Sequence, residues 1–143
     1  LSNSVTSFTR TATTGQLAQQ TGTAACSINV LAVGCSLGRA MSDPEGLAVS
    51  PDGANVYVAA FASGAVDVLN RNADSGVLVQ KPRIAGCITS SAAPDCAPGR
   101  GLLGASSVAV SPDGKYVYSA SFASNSVGVF KRVTKDMAHA RGT

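Results

Sequence analysis

The side chains with chemical reach in this chain are four cysteines, a pair of arginines, a pair of acids and one histidine. Cys26 and Cys35 are spaced Cys-x8-Cys, and so are Cys87 and Cys96. Zinc knuckles use shorter Cys-x2–4-Cys spacings with further Cys or His at hand, and the sole histidine, His139, is remote. Two local disulfides, Cys26–Cys35 and Cys87–Cys96, suit the spacing better than four reduced, buried thiols. Such staples belong to an oxidising compartment. Arg39 and Arg100 each follow a glycine. They are candidates for binding an anion or carboxylate ligand. Alternatively each guanidinium, with five donors, braces its own loop through backbone carbonyls. Asp43 and Glu45 are candidates for holding a divalent cation. Hard cations take about 6–8 oxygens, so two carboxylates read more simply as solvated charges. There is no His-Glu-x-x-His, and the sole histidine stands outside the repeat. No catalytic residue, metal or cofactor is therefore expected.

These residues sit in a frame that repeats. Cys87 and Cys96 stand 61 residues beyond Cys26 and Cys35. The same step carries Ala48-Val49-Ser50-Pro51-Asp52-Gly53 onto Ala109-Val110-Ser111-Pro112-Asp113-Gly114. It also links Ser2-Asn3-Ser4-Val5, Ser63-Gly64-Ala65-Val66 and Ser124-Asn125-Ser126-Val127. The chain is a tandem array, which has to be settled before any local element is read. Arg39 and Arg100 are equivalent in it, whereas Asp43 and Glu45 become Gly104 and Ser106 in the second copy.

Composition narrows the class. Of 143 residues, 45% are hydrophobic and 5% aromatic, with no Trp. Small residues dominate, which suits closely stacked sheets. Charged residues make up 13%, against roughly 25% in ordinary soluble domains. The net charge is +3, and the cations are scattered except from Lys131 to Arg141. Clustered cations and stacking aromatics are absent, so nucleic acid is not an expected partner. No run approaches the ~20 apolar residues of a membrane-spanning helix. The chain opens at Leu1 without a leader, as expected of a processed product or an excised piece.

Within one copy the apolar residues alternate. Val108 and Val110, then Tyr116 to Ala120, then Val127 and Val129 mark three short strands. Ser111-Pro112-Asp113-Gly114 is a turn: Pro112 pre-sets φ, Asp113 caps locally and Gly114 accepts positive φ. In the earlier copy the pattern continues through a turn at 71–76 into a fourth strand at Val77–Gln80. Four strands per unit make an antiparallel meander with two apolar faces. Stacking such units about an axis hides both faces, so the expected fold is all-β, built of β-propeller blades with a 61-residue repeat.

The stretch Ser111-Pro112-Asp113-Gly114-Lys115-Tyr116-Val117-Tyr118, followed by Asn125-Ser126-Val127-Gly128-Val129-Phe130, resembles the YVTN-type β-propeller repeat. That repeat occurs in bacterial and archaeal surface proteins and in lactonase-like propellers. The resemblance covers 46–80 and 107–132, with a remnant at 2–19. It implies a propeller fold and says little of activity, since only some lactonase-like members are enzymes. The stapled segment 81–106 departs from the usual, shorter repeat.

The organisation expected is a partial blade at 1–20 (strands three and four), a blade with a stapled loop at 21–80, a blade lacking its fourth strand at 81–132, and a tail at 133–143. About two blades cannot close a ring. Several copies closing a ring, a head-to-tail fibre exchanging end strands, or a longer array remain open. The expected role is an extracellular or cell-surface repeat protein whose partner is itself. A glycan- or small-ligand-binding propeller and a lactonase-like hydrolase are the alternatives.

Overall fold

The computed structural model describes residues 2–30 and 32–134. The tail at 135–143, with His139, lies outside the described residues. The described fold is all-β, with several small sheets and two short 3-10 turns. No helix among the described residues is long and apolar enough to cross a membrane.

The central sheet starts with β6 (Pro44–Val49), β7 (Asn55–Ala60) and β8 (Ala65–Arg71), paired antiparallel in that order. The turn between β6 and β7 forms as its residues dictate. Gly53 N–H donates to Ser50 O at 2.8 Å, and Gly53 sits at φ +68°. The Ser50 hydroxyl and Ala54 N–H both donate to Asp52 Oδ1. The second copy repeats this as β12 (Ala105–Val110), β13 (Tyr116–Ser121) and β14 (Ser126–Lys131). Gly114 stands at φ +70°.

The fourth place in the central sheet differs from a single strand. β9 (Leu78–Gln80) pairs only with the end of β8, at Leu69 to Arg71. β10 (Cys87–Thr89) pairs with its start, at Ala65 to Asp67. Between them the chain bulges out. Lys81 N–H donates to Val68 O, and Val68 N–H donates to Gly86 O, both at 2.9 Å. Pro82 has no N–H to give a ladder, which favours a break there. Arg83, at φ +51°, begins a 3-10 turn, Arg83–Ala85. β11 (Ala97–Pro98) then adds parallel to β10, and the Cys87–Cys96 disulfide ties the two together. The expected four-stranded meander with a separate insert at 81–106 is therefore corrected. Part of that insert completes the fourth strand, and β11 extends the edge.

The N-terminal part follows the same plan. β1 (Ser4–Thr6) pairs with β4 (Cys26–Ile28), and β2 (Phe8–Arg10) pairs with β3 (Leu17–Gln19). β5 (Ser36–Leu37) runs parallel to β4. Ser7 bridges to Ala25 and Gln20 as Val68 does to Gly86 and Lys81. The third strand expected in the partial blade at 1–20 is thus two short strands, β1 and β2.

The sheets stack through two apolar layers. Val5 and Met41 pack on Val56, Val58 and Leu69. On the opposite face, Tyr57, Ala59 and Val66 pack on Leu102, Ala105, Val108 and Val117. Every residue of β7 is therefore buried. The sheets approach most closely along β6 and β12, where a Cβ on Gly46 would stand 2.9 Å from Ser106 O.

Both disulfides close ten-residue rings at the sheet edge. Replacing Cys87 and Cys96 by Ser lowers unfolding free energy by about 2.5–3 kcal/mol in the chain-entropy account. Urea unfolding of the variant against wild type measures this.

Candidate functional site

Two polar clusters join the sheets, and both are built around an arginine. The first is Arg132, just past β14. It is 7% exposed. Its Nη2 donates to both Asp52 oxygens, at 2.8 and 2.6 Å, and to Asn55 Oδ1 at 3.0 Å. Its Nε donates to the Tyr57 hydroxyl at 2.9 Å, and Nη1 to Gly114 O at 3.2 Å. A guanidinium suits this place because its fixed fork of donors meets several acceptors at once. The Ser50 hydroxyl first, and then the Arg132 guanidinium acting against some desolvation, hold the Asp52 carboxyl at about 2. Burial pushes the Tyr57 phenol up.

This clamp was hidden in the sequence by treating the cations as scattered. Arg10, Arg71 and Arg132 are spaced by the repeat length of 61. Arg71 Nη1 donates to Gly53 O at 3.2 Å, as Arg132 does to Gly114 O. Turn geometry alone accounts for Asp113. For Asp52 it accounts for half, since the same carboxylate also receives Arg132.

The second cluster contains Arg39. Its Nη2 donates to Lys81 O at 3.0 Å and to Arg83 O at 2.9 Å. Arg39 N–H donates to Gln80 Oε1 at 2.8 Å. Gln80 Nε2 returns a hydrogen bond to Arg39 O, and donates to Gly86 O and Asp67 Oδ1, each at 3.0 Å. Arg39 therefore braces the bulge of the next sheet. It lies at the outer edge, away from the close approach of β6 and β12. Asp67 is fully buried on β8. Its Oδ2 and Arg39 Nε are buried without a protein partner. Burial, opposed by the Arg39 charge and the Gln80 amide, lifts the Asp67 carboxyl to about 9.

The other sequence candidates are not brought together. Arg100 is exposed. Asp43 stands at φ +56°, and its repeat equivalent Gly104 at +68°. The position thus asks for left-handed backbone, which Asp tolerates better than most residues. Asp43 N–H donates to Asn3 Oδ1 at 2.8 Å. Glu45 borders a small cleft with Ser4 and Leu47. No group of three or more His, Cys, Asp or Glu among the described residues could hold a metal ion.

An apolar cleft of about 580 Å³ lies beside β14, where the fourth strand of that sheet has no counterpart among the described residues. Ile84, Ile88, Val129 and Phe130 line it, with Tyr57 and Arg132 among its polar walls.

No protein-family model matches the chain, and no curated protein matches it. Among solved structures, it is similar to a candidate 6-phosphogluconolactonase from Bacteroides fragilis. That match has a TM-score of 0.55 and 16% identity, covering 92% of this chain and 30% of the other. A second similarity is to hydrazine synthase of Kuenenia stuttgartiensis, with a TM-score of 0.43 and 24% identity, covering 64% of this chain and 28% of the other. The chain thus spans under a third of each. The first likeness speaks to fold alone.

Two outcomes follow. Arg132→Ala removes a buried charged donor from four partners and lowers stability by about 2–3 kcal/mol. Arg71→Ala, with one carbonyl to lose, costs less than half as much in the same urea titration. For Asp67 the folded carboxyl lies above its ordinary 3.8. The native state therefore holds the extra proton, and its stability declines as pH rises from about 4 through about 9. Asp67→Asn flattens that decline, which melting temperatures across the range will show.

Proposed function

We propose that the chain is a β-propeller repeat module with a structural, self-associating role in an oxidising, extracellular setting. Three things support the propeller reading. The sheets are small, stacked face to face and closest along their first strands. Each element of the second copy recurs 61 residues after the first. A solved structure matched at a TM-score of 0.55 is named as a candidate 6-phosphogluconolactonase, a class in which the YVTN-like resemblance also places propellers. The two intramolecular disulfides support the oxidising setting.

The observation that carries self-association is an uncovered face. Tyr57 and Val66 are 6% and 2% exposed, packed against β12 and β13. Their repeat equivalents on the last sheet, Tyr118 and Val127, are 37% and 67% exposed. Val129 and Phe122 extend the bare patch. Apolar surface of this kind, contiguous on one sheet, marks an interaction site. Among the described residues no strand pairs with the outer edge of β14, and a sheet edge of that kind invites another strand.

Neither Arg39 nor Asp43 offers a free convergent group, and none of the described clefts unites them with Arg100 and Glu45. Among the described residues the catalytic reading attached to the lactonase name has no nucleophile–base pair to support it. Sedimentation velocity at micromolar concentration tests the reading. Wild type sediments larger than one chain. Val127→Glu with Val129→Glu sediments as one chain, with its circular dichroism retained. A wild type that stays a single chain at all concentrations contradicts it.

A further inference from the structure

A polar cleft of about 570 Å³ opens beside the Ser50–Gly53 turn, where the start of β7 and the end of β8 meet the chain leaving β14. Arg71, Lys81 and Arg132 line it, with one carboxylate, Asp52, and two amides, Asn55 and Asn70. Asp52 is already paired. The Ser50 hydroxyl, the Ala54 N–H and the Arg132 guanidinium all donate to it. Arg132–Asp52 is the one ion pair among the described residues. Arg71 and Lys81 therefore bring two positive charges to the cleft with no carboxylate among the described residues to match them. Both side chains are half-buried, so solvent screens them less than it screens fully exposed charges.

Their donors are largely free of other work. A guanidinium has five, and Arg71 uses one, Nη1 on Gly53 O at 3.2 Å. Lys81 is fixed through its backbone: its N–H donates to Val68 O and its carbonyl accepts from Arg39 Nη2, while its ammonium has no acceptor among the described residues. Asn55 Nδ2 donates to Asn70 Oδ1 at 3.3 Å, which leaves Asn70 Nδ2 for another acceptor. The constellation occurs once. Sixty-one residues back, Lys81 becomes Gln20, whose Nε2 donates to Ser75 O at 2.8 Å. Sixty-one residues on, Asn55 becomes Tyr116 and Asn70 becomes Lys131. Stacking of like sheets calls for the repeated arginine and not for the ammonium or the amide pair.

We propose that this cleft binds a phosphate group, free or on an ester, with the Arg71 fork and the Lys81 ammonium on its oxygens and the Asn70 amide as a further donor. Arginine's planar fork meets two phosphate oxygens at once, and lysine adds a point charge. A phosphate monoester carries about −1.5 to −2 charge near neutral pH, which balances the two unmatched cations. A carboxylate, with one charge and two oxygens, leaves one cation over. The site lies within one chain and holds whether or not copies associate.

Isothermal titration calorimetry at constant ionic strength tests this, with inorganic phosphate, glycerol phosphate and acetate as probes. Phosphate binds wild type, and acetate binds about tenfold more weakly. Arg71→Gln and Lys81→Gln each weaken phosphate binding about tenfold, the loss of one charge-assisted hydrogen bond. Arg100→Gln, which removes an exposed cation outside the cleft, leaves it unchanged. Both cleft variants keep their circular dichroism, since Arg71 gives up one hydrogen bond and Lys81 keeps its backbone bonds. Should Arg71→Gln lose its fold, Lys81→Gln decides alone. Glycerol phosphate binding at least as tightly as the free ion assigns the cleft to a phosphorylated ligand. Binding of the free ion alone assigns it to inorganic phosphate. The proposal falls if wild type binds no phosphate, if acetate binds as tightly, or if the cleft variants bind like wild type. It falls too if Arg100→Gln weakens binding as much as they do, because net charge is then the whole effect.

Discussion

A sheet with apolar side chains on both faces needs a neighbour on each side. β7 meets that need: Asn55 to Ala60 are all buried, odd positions against one sheet and even positions against another. The last sheet meets it on one side, and its β13 alternates between buried and exposed along its length. Much else in the structure follows from this requirement. Small residues such as Gly46 let the inner strands approach. Arg132, just past β14, fixes how the last sheet sits on the central one. The edge is closed by disulfides instead of by a large aromatic core.

Polar contacts set the alignment that apolar contacts alone leave loose. Arg132 reaches a carboxylate, an amide, a phenol and a carbonyl, and three of these belong to the preceding sheet. Such a set admits one stacking geometry. Arg39 does similar work at the outer edge, where the bulge at 81–86 would otherwise have unsatisfied carbonyls. The cost is a buried carboxyl at Asp67, held protonated by its surroundings. Its equivalents Thr6 and Gly128 carry no charge, so this feature is local to the central sheet.

Much of the fold was legible in the residues. The offset of 61 located each strand of the second copy, and the Ser-Pro-Asp-Gly turns form as their side chains require. Both disulfides pair as the Cys-x8-Cys spacing indicated. The split fourth strand was not legible, because β9 and β10 are three residues each. A pattern of period two cannot be recognised over so short a run. The Arg132 clamp was missed for a different reason. Three of its four partners lie 75 to 80 residues away, and only the spacing of Arg10, Arg71 and Arg132 points to it. Arg39 and Arg100 repeat as well, yet the described contacts differ: Arg39 meets the bulge of the sheet that follows, and Arg100 is exposed. Identity at equivalent positions therefore did not establish a shared ligand.

Hydroxyl-radical footprinting of the wild-type chain across a dilution series is the most direct measurement of whether a second copy covers the bare face. The account predicts that oxidation of Tyr118, Val127 and Val129 is suppressed at high concentration and rises on dilution, while exposed Val33, away from the contact, stays constant. Equal oxidation of Tyr118 and Val127 at every concentration would contradict it.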